Sequence, residues 1–380
     1  MKFALTEEQD ALRDMARRFL ADHSGSEQVR AAMETELGWI PDVWSRLAQE
    51  LGWTALTIPE EHGGFGFTAT DLVPLMEEMG RSLLCAPFFS SICLGANALM
   101  VAGSAAQQAR HLPGIAAGET LATLALTEPG GSWDPTAVSA WCRRGGGDWV
   151  LGGHKRLVPD AHAADLFVIV AREEGTSGDA GLHLFAVSAD AAGLTRRSLG
   201  SMDRTRRLGE VRLDDVRVSA EDELLAEGLG AGSALRRVLD LAGAALAAEQ
   251  VGGAEACLDL AVDYAKVREQ FGRPIGSFQA IKHKCADMLL QVESARSAAW
   301  YAGWVAGRGD WEELAAASAT AQAYCSDAYF HCAAESIQIH GGIGFTWEHD
   351  AHLYYRRAKS SESLLGDASH HRARFALPRG

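Results

Sequence analysis

Residues 264–279 read YAKVREQFGRPIGSFQ. One apolar helical pattern runs into this stretch and another runs out of it. Arg268 falls in what reads as the last turn of a helix, Gly272 reads as its C′ residue, and Pro274 stops it. The macrodipole favours a cation at that end without any function. A guanidinium there is also suited to an anionic group such as a pyrophosphate. Upstream, Ala254, Cys257, Leu258, Ala261, Val262 and Ala265 share one helical face. Downstream, Phe278, Ile281, Cys285, Met288, Leu289, Val292, Ala295 and Ala299 form a second stripe. Leu314, Ala317, Ala321, Tyr324, Cys325, Ala328 and Cys332 form a third. With the helix before Glu249, these stripes predict an antiparallel four-helix bundle over residues 229–380.

The texture before the bundle differs. Leu121–Leu126, Asp148–Leu151, Asp165–Ala171 and Gly181–Val187 are short apolar or alternating runs, separated by turns such as Gly145-Gly146-Gly147-Asp148. Residues 209–218, GEVRLDDVRV, add an alternating strand pair. They predict a middle antiparallel β domain, a small barrel or sandwich, over 120–228. Residues 1–119 read as helical. Thr6-x-x-Gln9 is a capping box with Leu5 as staple, and Leu12, Met15, Phe19 and Leu20 follow at helical spacing. Trp44, Leu47 and Leu51 repeat the pattern. The loop IPEEHGGFGFT spans 58–68, Asp71 reads as the next cap, and Pro87 precedes an apolar helix around 89–102. Helices, then strands, then helices predict an α+β multidomain chain rather than a doubly wound sheet.

A chain of 380 residues exceeds what one core organises, in keeping with that division. The net charge of −15 argues against non-specific binding to nucleic acid or anionic membrane. Two basic clusters remain for anionic ligands, Arg204-Thr205-Arg206-Arg207 and Arg356-Arg357-Ala358-Lys359. The seven scattered cysteines form no C-x-x-C pair and read as small buried hydrophobes. Acids follow the N-terminal Met too closely for a secretory signal, and no apolar run is long enough to insert in a bilayer. A cytoplasmic location is expected.

Phosphate-loop, zinc-protease, Rossmann and nucleophile-elbow patterns are all absent. Residues 126–134, LTEPGGSWD, leave a strand into a Gly-rich turn. Its N–H groups and the Thr127 and Ser132 hydroxyls suit a heteroaromatic edge or a phosphate, or simply a β-turn. Residues 338–345, QIHGGIGF, offer bare glycine backbone to a flat ligand, or a plain C-cap. Glu348, His349, Asp350 and His352 fit no standard metal spacing and read as solvated polar residues.

In order and surroundings, four stretches resemble the acyl-CoA dehydrogenase family: PEEHGGFG (59–66), LTEPGGS (126–132), VREQFGRPIGSFQAIKHKCADM (267–288) and QIHGGIGFTWEHDAHLYYRRAKSSE (338–362). The likeness covers almost the whole chain. It implies FAD held between the β domain and the bundle, an acyl-CoA substrate, and electron-transfer flavoprotein or a similar acceptor. Leu126, Thr127, Gly131 and Ser132 would line the flavin and the acyl-CoA entrance. Arg268, Gln270, Phe271, Gln279, Gln338, His340, Gly341 and Gly342 would reach the FAD of a neighbouring subunit in a tetramer.

The sequence departs from the family at the base. The usual catalytic Glu before the glycine is Leu365, and the alternative position on the first bundle helix is Ala242. A neighbouring Arg is replaced by Gly243, and the flavin-contacting W-I-T stretch by Leu157-Val158-Pro159. Pro159 offers neither N–H nor hydroxyl. Glu362 is the candidate for a substitute base, ahead of Asp367 and Asp240. The pattern is most like the Glu-lacking subunits of hetero-oligomeric steroid side-chain acyl-CoA dehydrogenases. A flavin monooxygenase of the same fold and a self-sufficient dehydrogenase with an unusual base are the alternatives.

Overall fold

Thr6 opens the first helix with its capping box. Its Oγ1 accepts the Gln9 N–H at 3.2 Å, while the Gln9 side-chain oxygen accepts the Thr6 N–H at 3.1 Å. The computed structural model describes residues 5–376. Six helices come first: α1 (Glu7–His23), α2 (Ser26–Glu34), α3 (Pro41–Ser45), α4 (Ala69–Arg81), α5 (Asn97–Ala102) and α6 (Ala105–Ala116). Thr68, not Asp71, is the N-cap of α4. Asp71 sits three residues inside and accepts the Thr68 N–H at 2.9 Å, closing a second capping box.

The described residues pack as two units. One takes in the chain up to Met33, Thr68–Cys85 and everything from Gly243; the other takes Glu34–Phe67 and Ala86–Ala242. The second unit holds the sheet: β1 (Ala122–Ala125), β2 (Trp141–Gly145), β3 (Asp148–Pro159), β4 (Leu166–Glu173), β5 (Leu182–Ser188), β6 (Leu194–Leu199), β7 (Leu208–Val218) and β8 (Glu223–Leu224). Strand order is β6-β7-β3-β2-β4-β5-β8, with β1 on β4. The sheet is mostly antiparallel, as expected, but β1–β4 and β2–β4 are parallel. Residues 209–218 lie in one strand, β7, rather than forming a pair. Gly145 faces Asp148 across the β2–β3 hairpin, whose turn needs the left-handed Gly146 at φ +78°. Trp149, Phe167, Ile169, Phe185 and Val211 belong to its core.

The first unit is built on long helices. α7 (Ala231–Val267) runs unbroken for 37 residues into it, so the pattern before Glu249 and the 254–265 stripe are one helix. After it come a small hairpin of β9 (Glu269–Gln270) and β10 (Arg273–Pro274), then α8 (Gln279–Arg308), α9 (Trp311–His340), α10 (Ala351–Ser363) and α11 (Ala368–Ala376). The long helices of this unit are α7, α8 and α9; α10, only 13 residues, and α11 both pack on α9, so the expected fourth long helix is replaced by shorter ones. Cys257, Ala261, Met288, Val292, Tyr329 and Cys332 pack in the core of this unit.

Glycine sets how closely α4 and α7 approach. A Cβ on Gly80 would stand 1.9 Å from the Glu249 carbonyl oxygen, and one on Gly252 1.8 Å from that of Glu77. Backbone meets backbone at both points, so no side chain can give way. Gly80→Ala is expected to cost about 3 kcal/mol, the upper end of core overpacking, measured as a lower urea midpoint.

Candidate functional site

In the sheet unit, residues 126–132 leave β1 and turn. The Gly131 N–H donates to the Glu128 carbonyl at 2.8 Å, with Gly131 left-handed at φ +72°. Leu126 and Thr127 are buried, while Gly131 and Ser132 are exposed. The Arg156 N–H donates to the Thr127 carbonyl at 2.8 Å, and the Thr127 hydroxyl donates to the Arg156 carbonyl. Ser132 Oγ accepts the Asp134 N–H at 3.1 Å.

An ion pair between a fully buried lysine and a partly buried glutamate lies under this turn, and the sequence reading missed it. Lys155 Nζ, fully buried, donates to the Leu126 carbonyl at 3.1 Å and to Glu128 Oε1 at 2.7 Å. The Glu128 carboxylate also accepts the Ser139 N–H at 3.0 Å and the Ala140 N–H at 2.8 Å. Burial draws the Lys155 ammonium down to about 8. Burial pushes Glu128 the other way, but Lys155, Ser139 and Ala140 outweigh it and hold the carboxyl below its usual range. Both groups are ionised at neutral pH. The only trace in the sequence is a lysine two residues after Gly153 and an acid after Thr127.

Leu157 sits at a bulge in β3, with φ +59°, and is exposed. A left-handed leucine is costly, so its surroundings impose the conformation. Its Cδ1 lies 4.0 Å from where a Cβ on Gly131 would stand, so it reaches the edge of the turn. Pro159 is buried, and its carbonyl accepts the Thr123 hydroxyl at 2.7 Å.

In the helical unit, α7 ends at Val267. Arg268 closes its last turn, its N–H donating to the Tyr264 carbonyl at 2.8 Å, but residues 269–274 do not end it with a Gly272 C′ residue. They form the β9–β10 hairpin, in which Gln270 pairs with Arg273. The two central residues, Phe271 (φ +54°) and Gly272 (φ +77°), are both left-handed, the requirement of a type I′ turn. Phenylalanine is a poor residue for that position, and its side chain is 92% exposed. An exposed aromatic on strained backbone points to a task outside the chain's own core. Arg268, Gln270, Gln279 and Gln338 are exposed as well.

The end of α9 lies beside α7 near that hairpin. The Tyr264 ring, one turn before Arg268, is 4.5 Å from the ring of His340. His340 Nδ1 lies 2.6 Å from the Ser336 carbonyl, and the buried Nε2 has no hydrogen-bond partner. Burial lowers the His340 pKa, keeping the ring neutral. Gly341 is left-handed at φ +64°, and a Cβ on Gly341 or Gly342 would meet nothing within 4 Å. Open space over bare backbone, amide side chains, an exposed guanidinium and an exposed ring suit a flat polar ligand carrying phosphates. By that test the residues fit a flavin dinucleotide.

The two positions expected for the base carry no acid. Leu365 is 3% exposed and left-handed at φ +66°. Ala242 is fully buried in α7. The alternative acids are engaged elsewhere. Glu362 pairs with Lys359 at 2.7 Å on the surface of α10. Asp367 Oδ1 accepts the His370 N–H at 2.7 Å near the start of α11. Asp240 is buried in α7 and is not free. Glu362→Gln is therefore expected to leave turnover within about twofold and stability within about 1 kcal/mol, as for an exposed pair. Steady-state kinetics and thermal melting check both.

Other sequence features serve packing. Arg357 pairs with Glu249 at 2.8 Å with both buried. Arg206 lies over the Phe89 ring, Arg204 pairs with Glu34, and Arg207 donates to the Thr35 carbonyl. Asp350 pairs with Arg30 at 2.6 Å. His352 is not solvated, as the sequence suggested, but buried, and burial pushes its pKa down to about 4. Among the described residues, no three His, Cys, Asp or Glu side chains are placed to hold a metal, and no helix is long and apolar enough to cross a membrane.

Comparison with known proteins agrees with this architecture. Three family models match: "Acyl-CoA dehydrogenase, N-terminal domain" over residues 6–119, the middle domain over 123–216 and the C-terminal domain over 228–376. Acyl-CoA dehydrogenase IpdE2 of Mycobacterium tuberculosis is 36% identical over 362 residues, covering 94% of this chain and 93% of that protein. Among solved structures, a variant of the Tcur3481-Tcur3483 steroid ACAD matches with a TM-score of 0.86 and 32% identity over 97% of this chain and 96% of that one. The ChsE4-ChsE5 complex of Mycobacterium tuberculosis matches with a TM-score of 0.89 and 26% identity over the full length of both chains. With three matching family models in the observed order, the chain belongs to the acyl-CoA dehydrogenase family, whose members are FAD-dependent oxidoreductases.

Proposed function

We propose that this chain is the base-lacking subunit of a cytoplasmic hetero-oligomeric acyl-CoA dehydrogenase. It binds FAD, assembles with a paralogous chain as a tetramer, and passes electrons to electron-transfer flavoprotein or a similar acceptor. Its three domains are 1–119, 120–228 and 229–380. The observation that carries this reading is the pairing of an apolar Leu365 and Ala242 at the base positions with an exposed Arg268–Phe271 hairpin and an open Gly341–Gly342. Two of the related solved structures carry the names of two chains, and one of them is called a complex.

α,β-Desaturation removes an α proton from the acyl thioester and a hydride from the β carbon; bound FAD supplies the hydride acceptor. The roles left to this chain are binding and orientation. Arg268 would neutralise phosphate charge, with Gln270, Gln279 and Gln338 as hydrogen-bond partners. Phe271 would stack on a flat ring, and Gly341 and Gly342 would admit the ligand to the backbone. Leu126, Thr127, Gly131 and Ser132 would line the flavin and the acyl-CoA entrance. Leu365 contributes an apolar wall and moves no proton.

The test is flavin content and native mass, alone and co-expressed with a paralogue. A stable mixed oligomer retaining FAD that is bleached by an acyl-CoA supports the reading. A homo-oligomer with FAD in every chain, reduced instead through NADPH and a reductase, contradicts it in favour of a monooxygenase.

A further inference from the structure

The turn at residues 126–132 is anchored from beneath by a buried lysine. Lys155 is fully buried, and a buried ammonium is retained against a large desolvation cost. Its two acceptors, the Leu126 carbonyl and Glu128 Oε1, bracket Thr127. Glu128 in turn gathers the N–H groups of Ser139 and Ala140 and the Ser139 hydroxyl, and its own carbonyl takes the Gly131 N–H. The next residue along β3, Arg156, clamps Thr127 from the other side through its N–H and carbonyl. Main-chain groups on each side of the turn are thus tied to one hub.

We propose that Lys155, acting through Glu128, is a positioning residue that fixes Leu126, Thr127 and Gly131 in the geometry they need to meet the flavin and the thioester. It touches neither ligand. Its role rests on the reading of 126–132 as the flavin-facing turn given above. The geometry favours positioning over simple stabilisation. An apolar side chain in β3 would fill the same volume without the desolvation cost, but would leave the Leu126 carbonyl and the Glu128 carboxylate without their cation.

The test uses the flavin-loaded complex with Lys155→Met and, separately, the isosteric Glu128→Gln. Amide hydrogen exchange is followed at Gly131, Ser139, Ala140 and Arg156, together with the visible spectrum of the bound flavin and the separate changes in kcat and KM. Exchange at Ser139 and Ala140, which donate to the Glu128 carboxylate, is expected to rise about tenfold to hundredfold, the size of one charge-assisted hydrogen bond, and at Gly131 and Arg156, which donate to the Glu128 and Thr127 carbonyls, to rise less. Val168 and Phe185, inside the sheet, should keep their protection. The flavin bands should shift and kcat should fall more than KM changes. If Lys155→Met does not fold, Glu128→Gln carries the same readouts with a smaller effect. Unchanged exchange at the four amides overturns the positioning role. Faster exchange with an unaltered flavin spectrum and kcat overturns it differently: Lys155 then holds the turn, but the turn is not where the flavin lies.

Discussion

Purified without a paralogous partner, the chain is expected to oxidise acyl-CoA about 10²–10⁴-fold more slowly than the co-purified complex, the usual contribution of a positioned general base. Under the proposed assignment the two positions for that base are Leu365 and Ala242, whose side chains cannot accept a proton. The acids nearest in sequence are committed: Glu362 to Lys359, and Asp367 to the His370 N–H. A carboxylate serves as base only when positioned first and tuned by burial second, and Glu362, 30% exposed and paired with Lys359, meets neither condition. Turnover with a ferrocenium-type acceptor reads the difference. Equal rates for the isolated chain and the complex would show that a base resides in this chain after all.

The second large effect is on stability. Arg357→Met is expected to cost about 3–5 kcal/mol, the range for breaking a buried ion pair from one side. The Arg357 and Glu249 side chains are 3% and 6% exposed and meet at 2.8 Å. Arg357 Nη2 also donates to the Leu84 carbonyl at 3.4 Å. Glu249 has little freedom to escape, because the backbone of Gly80 packs on its carbonyl. The methionine fills part of the space but leaves the carboxylate buried beside it. Urea unfolding should show a lower midpoint. Adding Glu249→Leu should recover most of the loss, since two apolar groups in place of a buried pair are often neutral or better. A loss under about 1 kcal/mol for the single variant would mean that the pair is not desolvated as described.

The fold was largely legible because it is written in periodicity. Helical stripes at 254–265, 278–299 and 314–332 and alternating runs between 120 and 218 mark elements that bury one face, and burial enforces the pattern. What was not legible depends on contacts distant in sequence. The continuity of α7 through Gly252-Gly253 is one case. Two adjacent glycines weaken a helix locally, yet Gly252 permits the close approach of α4 and so belongs inside it. The two parallel pairings of β4 are another, since strand patterns carry no direction. Arg268 does close α7, but the 269–274 segment after it imitates a helix end, with glycine and proline in the right order, and folds as a hairpin. A left-handed phenylalanine is not a residue from which a type I′ turn is predicted. At the candidate site the resemblance supplied the residue types proposed for it, including the apolar Leu365 and Ala242 at the positions expected for the base. The Lys155–Glu128 hub was not legible, because a lysine inside a strand pattern gives no hint that it is fully buried.

Under the proposed function, no residue of this chain removes the α proton. α-Proton exchange tests it without relying on hydride transfer: an acyl-CoA is incubated in deuterated water with the isolated flavin-loaded chain and with the complex, and deuterium at the α carbon is followed by mass. Exchange is expected from the complex, and none above the uncatalysed rate from the chain alone. Exchange by the chain alone at a rate comparable to the complex would contradict it.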